Sequence, residues 1–259
     1  MVRGADCVAL AKTLLSHQDA ILSKSLIMST RARYEPANAP ANGSRPMQLS
    51  LGISCTGRMG GAFTTAFAKR TSHTVSIRGS HAGSSSAAAL SHQLGVRVAD
   101  DKELLAADVV FVATPPAALD DVAAALKGYA GIIVSAMVPG AGGYELKRDD
   151  GTSAAEQLAR LVPKGRVVAA FTSISSALIR DPASGEKPTV FTCADDEAAR
   201  SIVIALAKEI GFEGVDAGHL DASRNIESLG LLVGQLAYGS GFGDRVSLRA
   251  YVASRAVRR

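Results

Sequence analysis

Residues 48–81 read Gln48-Leu-Ser-Leu-Gly-Ile-Ser54, then Cys55-Thr-Gly-Arg-Met-Gly-Gly61, a run to Lys69, and Thr74-Val-Ser-Ile-Arg-Gly-Ser-His81. The order is strand, glycine-rich turn, helix, strand: one βαβ unit. The turn matches the dinucleotide fingerprint G-x-G-x-x-G at its second and third glycines, Gly57 and Gly60, with Cys55 at the first. The second glycine lets backbone approach a pyrophosphate, and the third lets helix and strand pack closely. Thr56, Gly57, Arg58, Met59 and Gly60 therefore form the candidate pyrophosphate site. The anion would rest on the free amides and positive dipole end of the helix that starts near Arg58.

The end of the second strand distinguishes the two dinucleotides. An NAD site places Asp or Glu there to hold the ribose 2′-hydroxyl. This chain has Arg78, Gly79, Ser80 and His81, with Ser84 close behind and no acid. Cations and hydroxyls suit a 2′-phosphate, so the expected cofactor is NADP(H). A plainer reading of Arg78, a stem laid along a strand end with its head in water, stays open.

The rest of the chain fits around this unit. Short apolar runs at 96–99, 108–113, 131–135 and 166–171 alternate with helical patterns, and further strand-like runs follow at 189–193 and 212–217. That alternation predicts an α/β fold, a doubly wound parallel sheet. The run 108–113 ends at Thr114-Pro115-Pro116, at the carboxyl edge where ligands bind in open α/β sheets, so Thr114 and Pro115 join the cofactor candidates. A long apolar stretch, Leu220 to Tyr238, predicts a helix buried between domains or subunits, part of a small C-terminal helix and strand extension that forms the substrate cleft. Residues 140–151 read as a glycine-rich loop.

The chain has 259 residues, 47% of them hydrophobic, which is enough for a core. The net charge of +4 is uneven. Residues 1–46 contribute +3 and 244–259 contribute +4, leaving the body at −3. A nucleic-acid role wants its basic face on the folded part, so that class is discounted. No apolar run is long enough to span a membrane. Three cysteines without C-x-x-C spacing and five unclustered histidines argue for reduced thiols, a cytoplasmic setting and no metal site. The expected organisation is an N-terminal extension and linker at 1–46, disordered or partly helical, with a helix over Cys7–Met28. A nucleotide-binding domain with its cleft helix follows at 47–248, then a basic tail at 249–259. Met47 is the expected functional start.

The chain resembles the coenzyme F420-dependent NADP reductases over roughly residues 48–248. The resemblance rests on CTGRMGGAFTTAFAK (55–69), SAMVPG (135–140), TSAAEQLARLVPKGRVVAAF (152–171), TVFTCADDEAA (189–199) and DAGHLDASRNIESL (216–229). It implies direct hydride transfer between NADP(H) and the deazaflavin of F420, phosphate contacts at Thr56, Gly57, Arg58 and Met59, and 2′-phosphate contacts at Gly79, Ser80 and near Ser84. It also implies acceptor-pocket positions at Thr172, Ile174, Arg224, Ser228 and Gly230, and a homodimer. Two of these depart from the family pattern: Thr172 stands where histidine is usual, and Gly230 where threonine is usual.

Hydride transfer between stacked rings needs proximity and dryness rather than an acid or base, so no catalytic residue is assigned. Two alternatives follow from the residues. One is an NADPH-dependent reductase of another small-molecule acceptor, an imine, flavin or ferric chelate. The other is a non-catalytic NADP-binding scaffold, which Cys55 favours. Each pocket residue also has a plain structural reading: Ser228 bonds back to its own helical turn, and Arg224 pairs with Glu227 three residues on.

Overall fold

A computed structural model describes residues 48–81, 83–138 and 151–251. The expectations placed on residues 1–47, on the glycine-rich loop up to residue 150 and on the end of the tail lie outside them.

Strand β1 (Ser50–Ile53) runs through the fingerprint turn into helix α1 (Arg58–Arg70), which returns to β2 (Thr74–Ile77). Helix α2 (Ser85–Leu94), β3 (Arg97–Val98) and α3 (Asp101–Leu104) complete one half. The second half is β4 (Val109–Val112), a 3₁₀ turn at Pro116–Ala118, α4 (Leu119–Ala125), β5 (Ile132–Ser135), α5 (Ala154–Leu161) and β6 (Arg166–Ala169). These strands form a six-stranded sheet in the order β3-β2-β1-β4-β5-β6, parallel at every pairing. This is the doubly wound Rossmann order, and it reverses between β1 and β4. Ligands in such sheets bind outside the carboxyl ends at that reversal.

Period-two alternation in the strands fills both faces. Leu51, Ile53, Val109, Phe111, Val134 and Val168 point to one core, while Val110, Val112, Ile133 and Val167 point to the other. The first core holds an aromatic cluster. Phe63 of α1 lies 5.0 Å from Phe111 and 5.1 Å from Phe171, ring centre to ring centre. Pairs of this kind add roughly 0.5–1.5 kcal/mol each beyond area burial, and they clamp α1 onto the sheet.

Two details sharpen the sequence reading. Strands β7 (Thr189–Thr192) and β8 (Glu213–Asp216), joined by α7 (Glu197–Glu209), do not extend the main sheet. They pair with each other in a separate parallel ladder and meet β6 through one antiparallel bridge, Ala169–Cys193. The cause is the chain reversal after β6, which includes the short helix α6 (Ser176–Arg180) that the sequence reading passed over. The expected helix at 220–238 is also composite. It comprises a 3₁₀ turn at Leu220–Ala222, α8 (Ser223–Gly234) and a π-helical turn at Gln235–Gly239. It is not buried all round, because Leu232 is 46% and Tyr238 55% exposed.

Candidate functional site

The fingerprint turn leaves a helix N-terminus open. Gly57 is the N-cap of α1, no side chain caps that terminus, and the first turn holds no acid. Helix N-termini leave their first amides without intrahelical partners, so these face outward with the positive end of the dipole. A Cβ on Gly57 would meet nothing within 4 Å, so the backbone there borders open space. Gly60 is the opposite: a Cβ there would lie 2.1 Å from the Cys55 carbonyl oxygen. Only glycine lets α1 pack so closely on the end of β1.

Cys55 does not spoil this turn. Phe171 is the one non-glycine residue with a left-handed φ among the described residues, so the first fingerprint position makes no demand that only glycine meets. The Cys55 side chain is tucked under Gly60, and burial pushes its thiol up to about 11 despite backbone hydrogen bonds at Ala113 and Gly60. It is an inert, protonated wall group at neutral pH.

Two adjoining cavities open at the carboxyl edge. The larger, about 760 Å³, is walled by Ser54, Cys55, Thr56 and Gly57 after β1, by Arg78 and Ser80 after β2, by Ala113, Thr114 and Pro115 after β4, and by one face of α4. The smaller, about 460 Å³, is walled by Arg78, Gly79, His81, Gly83, Ser84, Asp100 and Asp101. Arg78 and Asp101 border both. A chain of hydroxyls links the phosphate turn to the second loop. Ser86 Oγ donates to Thr56 Oγ1 at 2.7 Å and lies 3.0 Å from Ser84 Oγ. Ser84 in turn caps α2, accepting from the Ala87 amide. Gly79 is pressed against Ser84, where an added Cβ would come within 2.4 Å of the Ser84 Cβ. Thr114 Oγ1 is buried beside the larger cavity without a hydrogen-bond partner among the described residues. An orphaned buried hydroxyl on a cavity wall calls for a ligand or water to satisfy it. Ser135 Oγ, at the carboxyl end of the neighbouring strand β5, is buried in the same condition.

The structure thus brings Thr56, Gly57, Arg78, Gly79, Ser80, His81, Ser84, Thr114 and Pro115 to this edge, with Gly60 packed beneath. Met59 packs against the core, and Arg58 sits with its guanidinium 5.9 Å from the ring centre of Tyr238. Sequence reasoning missed Ser86, Asp101 and Tyr238. Their only local signals are a serine run at 84–86, an acid opening a short helix, and an aromatic in a π turn, a feature often found at functional sites.

The acceptor candidates sit differently. Thr172, just past the left-handed Phe171, is buried, and its hydroxyl donates to the Ile226 carbonyl at 3.0 Å. Gly230 lies against the same turn, and a Cβ there would come within 2.7 Å of the Thr172 carbonyl oxygen and 2.9 Å of Val138 Cγ2. The two positions that depart from the family pattern therefore touch, and α8 packs directly on the 171–174 turn. Ile174 is buried and bridges to Ser247. Ser228 Oγ donates back to the Arg224 carbonyl at 2.8 Å, the back-bond expected of a helical serine.

Arg224 has a partner beyond its own helix. Its guanidinium grips Glu156 with two bonds, 2.8 and 2.6 Å, which hold that carboxyl below its usual range. Glu227 turns the other way, fully buried, and accepts from the Ala154 and Ala155 amides at 3.1 Å each. The two residues are three positions apart on one helix but reach different places: Arg224 is exposed near the start of α8, whereas Glu227 caps the start of α5.

The fold is that of a doubly wound α/β protein, and this edge is a candidate dinucleotide site. Residues 50–139 match the family model described as NADP oxidoreductase, coenzyme F420-dependent. A 99-residue segment is 34% identical to the F420-dependent NADP reductase of Methanocaldococcus jannaschii, covering 37% of this chain and 44% of that protein. The chain therefore spans less than half the length of this curated relative. Among solved structures, a candidate F420-dependent NADP reductase from Arthrobacter sp. FB24 superposes with a TM-score of 0.67 at 24% identity, over 79% of this chain and 100% of that one. A hypothetical protein from Sinorhizobium meliloti superposes with a TM-score of 0.62 at 28% identity, over 70% and 90%. No helix among the described residues is long and apolar enough to cross a membrane.

Proposed function

We propose that the chain is an NADP(H)-dependent oxidoreductase that passes hydride between NADP(H) and coenzyme F420. The observation that carries this reading is the open, uncapped α1 terminus at Gly57, which borders a large cavity with the orphaned Thr114 hydroxyl on its wall. NADP(H) would supply the redox chemistry, and the chain's own residues bind, orient and exclude water. Thr56, the α1 amides and the Ser86–Ser84 hydroxyls would hold the phosphates, while Arg78, Ser80 and His81 would meet the 2′-phosphate. Thr114 and Pro115 would line the path toward the reacting ring. The exposed Leu232, Tyr238 and Phe242 support assembly as a homodimer, which the molecular mass in solution would test.

A second acceptor reading is favoured by one observation. Thr172 and Gly230, the two positions that depart from the pattern of the family the chain resembles, pack directly on each other, which would give the acceptor pocket a shape of its own. An imine, a flavin or a ferric chelate then takes the place of F420. Rapid mixing of the protein with NADPH and oxidised F420, followed at the absorbance bands of both, tests the first reading. NADPH oxidation with equal loss of oxidised F420 is the expected result. Oxidation only when an imine, flavin or ferric chelate is added would install the second.

A further inference from the structure

Resting on the reading of this edge as an NADP(H) site, we infer that Asp101 sets how strongly the protein prefers NADPH over NADH. Asp101 is the first residue of α3, yet its carboxylate reaches the end of β2 and pairs with the Arg78 guanidinium. Both residues border both cavities. The β2 end therefore carries two opposed features. Arg78 and Ser80 suit a 2′-phosphate. Asp101 supplies from a neighbouring element the acid that the strand end itself lacks, and such an acid accepts a hydrogen bond from a ribose 2′-hydroxyl.

The charges determine the direction of the effect. Arg78, with its side chain 24% exposed, has one guanidinium to share. A 2′-phosphate arriving at Arg78 must take it from Asp101 or sit beside a carboxylate of like charge, so Asp101 penalises NADPH. NADH brings no charge to that point, keeps the Arg78–Asp101 pair and gains a hydroxyl bond to it. Asp101 thus narrows the gap between the two dinucleotides. Its side chain is 62% exposed, so salt screens the effect.

The substitution D101N leaves the α3 cap in place, because the capping box is made by Asp100 and Glu103. The test is calorimetric titration of the full chain and of D101N with NADPH and with NADH, at low and at high salt. D101N is expected to tighten NADPH and weaken NADH, raising the NADPH preference roughly tenfold at low salt and less at high salt. A preference that is unchanged, or that falls, overturns the inference while leaving the cofactor site intact. Wild-type protein that binds neither dinucleotide overturns the proposed function and this inference together. D101S, which removes the charge with a smaller side chain, must shift the preference in the same direction as D101N. An opposite shift would mean that amide geometry rather than charge is responsible, and would also overturn the inference.

Discussion

The two ends of the carboxyl edge are built on different principles. At the β1–β2 end polar groups border space: Gly57 borders open volume, Thr114 Oγ1 has no partner among the described residues, and Ser80 lines a cavity. At the α8 end the polar groups face protein. Thr172 is spent on Ile226, Ser228 on its own turn, Arg224 on Glu156, and Glu227 on the start of α5. A site for a charged ligand leaves donors unsatisfied until the ligand arrives, whereas a scaffold satisfies its own. The first end has the open groups that the proposed binding role needs, and the second holds α5, α8 and the 171–174 turn together.

The sharpest test of that contrast uses two substitutions in one turn. Gly60→Ala should abolish NADPH binding, with a loss on the order of a hundredfold or more, because its Cβ cannot share space with the Cys55 carbonyl. Cys55→Gly should change NADPH affinity by less than about threefold, since that position already has an ordinary φ. Titration of both variants reads the difference, and a large gain from Cys55→Gly would undo the account of the turn.

At the other end the expected effect falls on stability. Glu227→Ala removes a fully buried cap from two amides and should destabilise the fold by about 2–4 kcal/mol in denaturant melts. NADPH affinity of the folded fraction should stay within about threefold of wild type. A variant of normal stability that cannot bind NADPH would place Glu227 on the binding side of the comparison.

Ser80→Asp adds a like charge beside the 2′-phosphate position and should weaken NADPH roughly tenfold while barely touching NADH. Equal effects on the two would relocate the 2′-phosphate. The smallest effect lies at the opposite, amino edge of the sheet. Asp108 accepts from the Ser50 amide and hydroxyl, at 2.7 and 2.6 Å, and these bonds hold its carboxyl below its ordinary range. A lowered folded-state pKa gives stability that is present above the ordinary carboxylate pKa and lost as pH falls through the lowered one. Asp108→Asn should cost about 2–4 °C of melting temperature at neutral pH and flatten the acid side of the melting curve. An unchanged acid limb would show that the pair contributes nothing.

The contrast also explains what could be read in advance. The strand–turn–helix–strand at 50–77 was legible because its signals are local: alternation, Gly57, Gly60 and the Arg78–Ser80 end all lie within one stretch. The α8 end was not, because its pairings join distant residues. Arg224 meets Glu156 across 68 positions, and Glu227 meets Ala154 across 73. Spacing along one helix suggests an Arg224–Glu227 pair, and tertiary packing adds a distant partner for each. Asp101 escaped notice for a related reason, since it reaches the β2 end from another element, 23 residues past Arg78. The separate β7–β8 ladder was hidden by the turn at Phe171, whose left-handed backbone no local pattern announces.

The most direct test is a titration of the full chain with NADPH and, separately, with NADH, followed by calorimetry. The structure predicts one NADPH per chain, bound more tightly than NADH, with an affinity that falls as salt rises. Absence of binding by either dinucleotide, or tighter binding of NADH, would contradict the claim that the Gly57 turn and the Arg78–Ser80 end form an NADP(H) site.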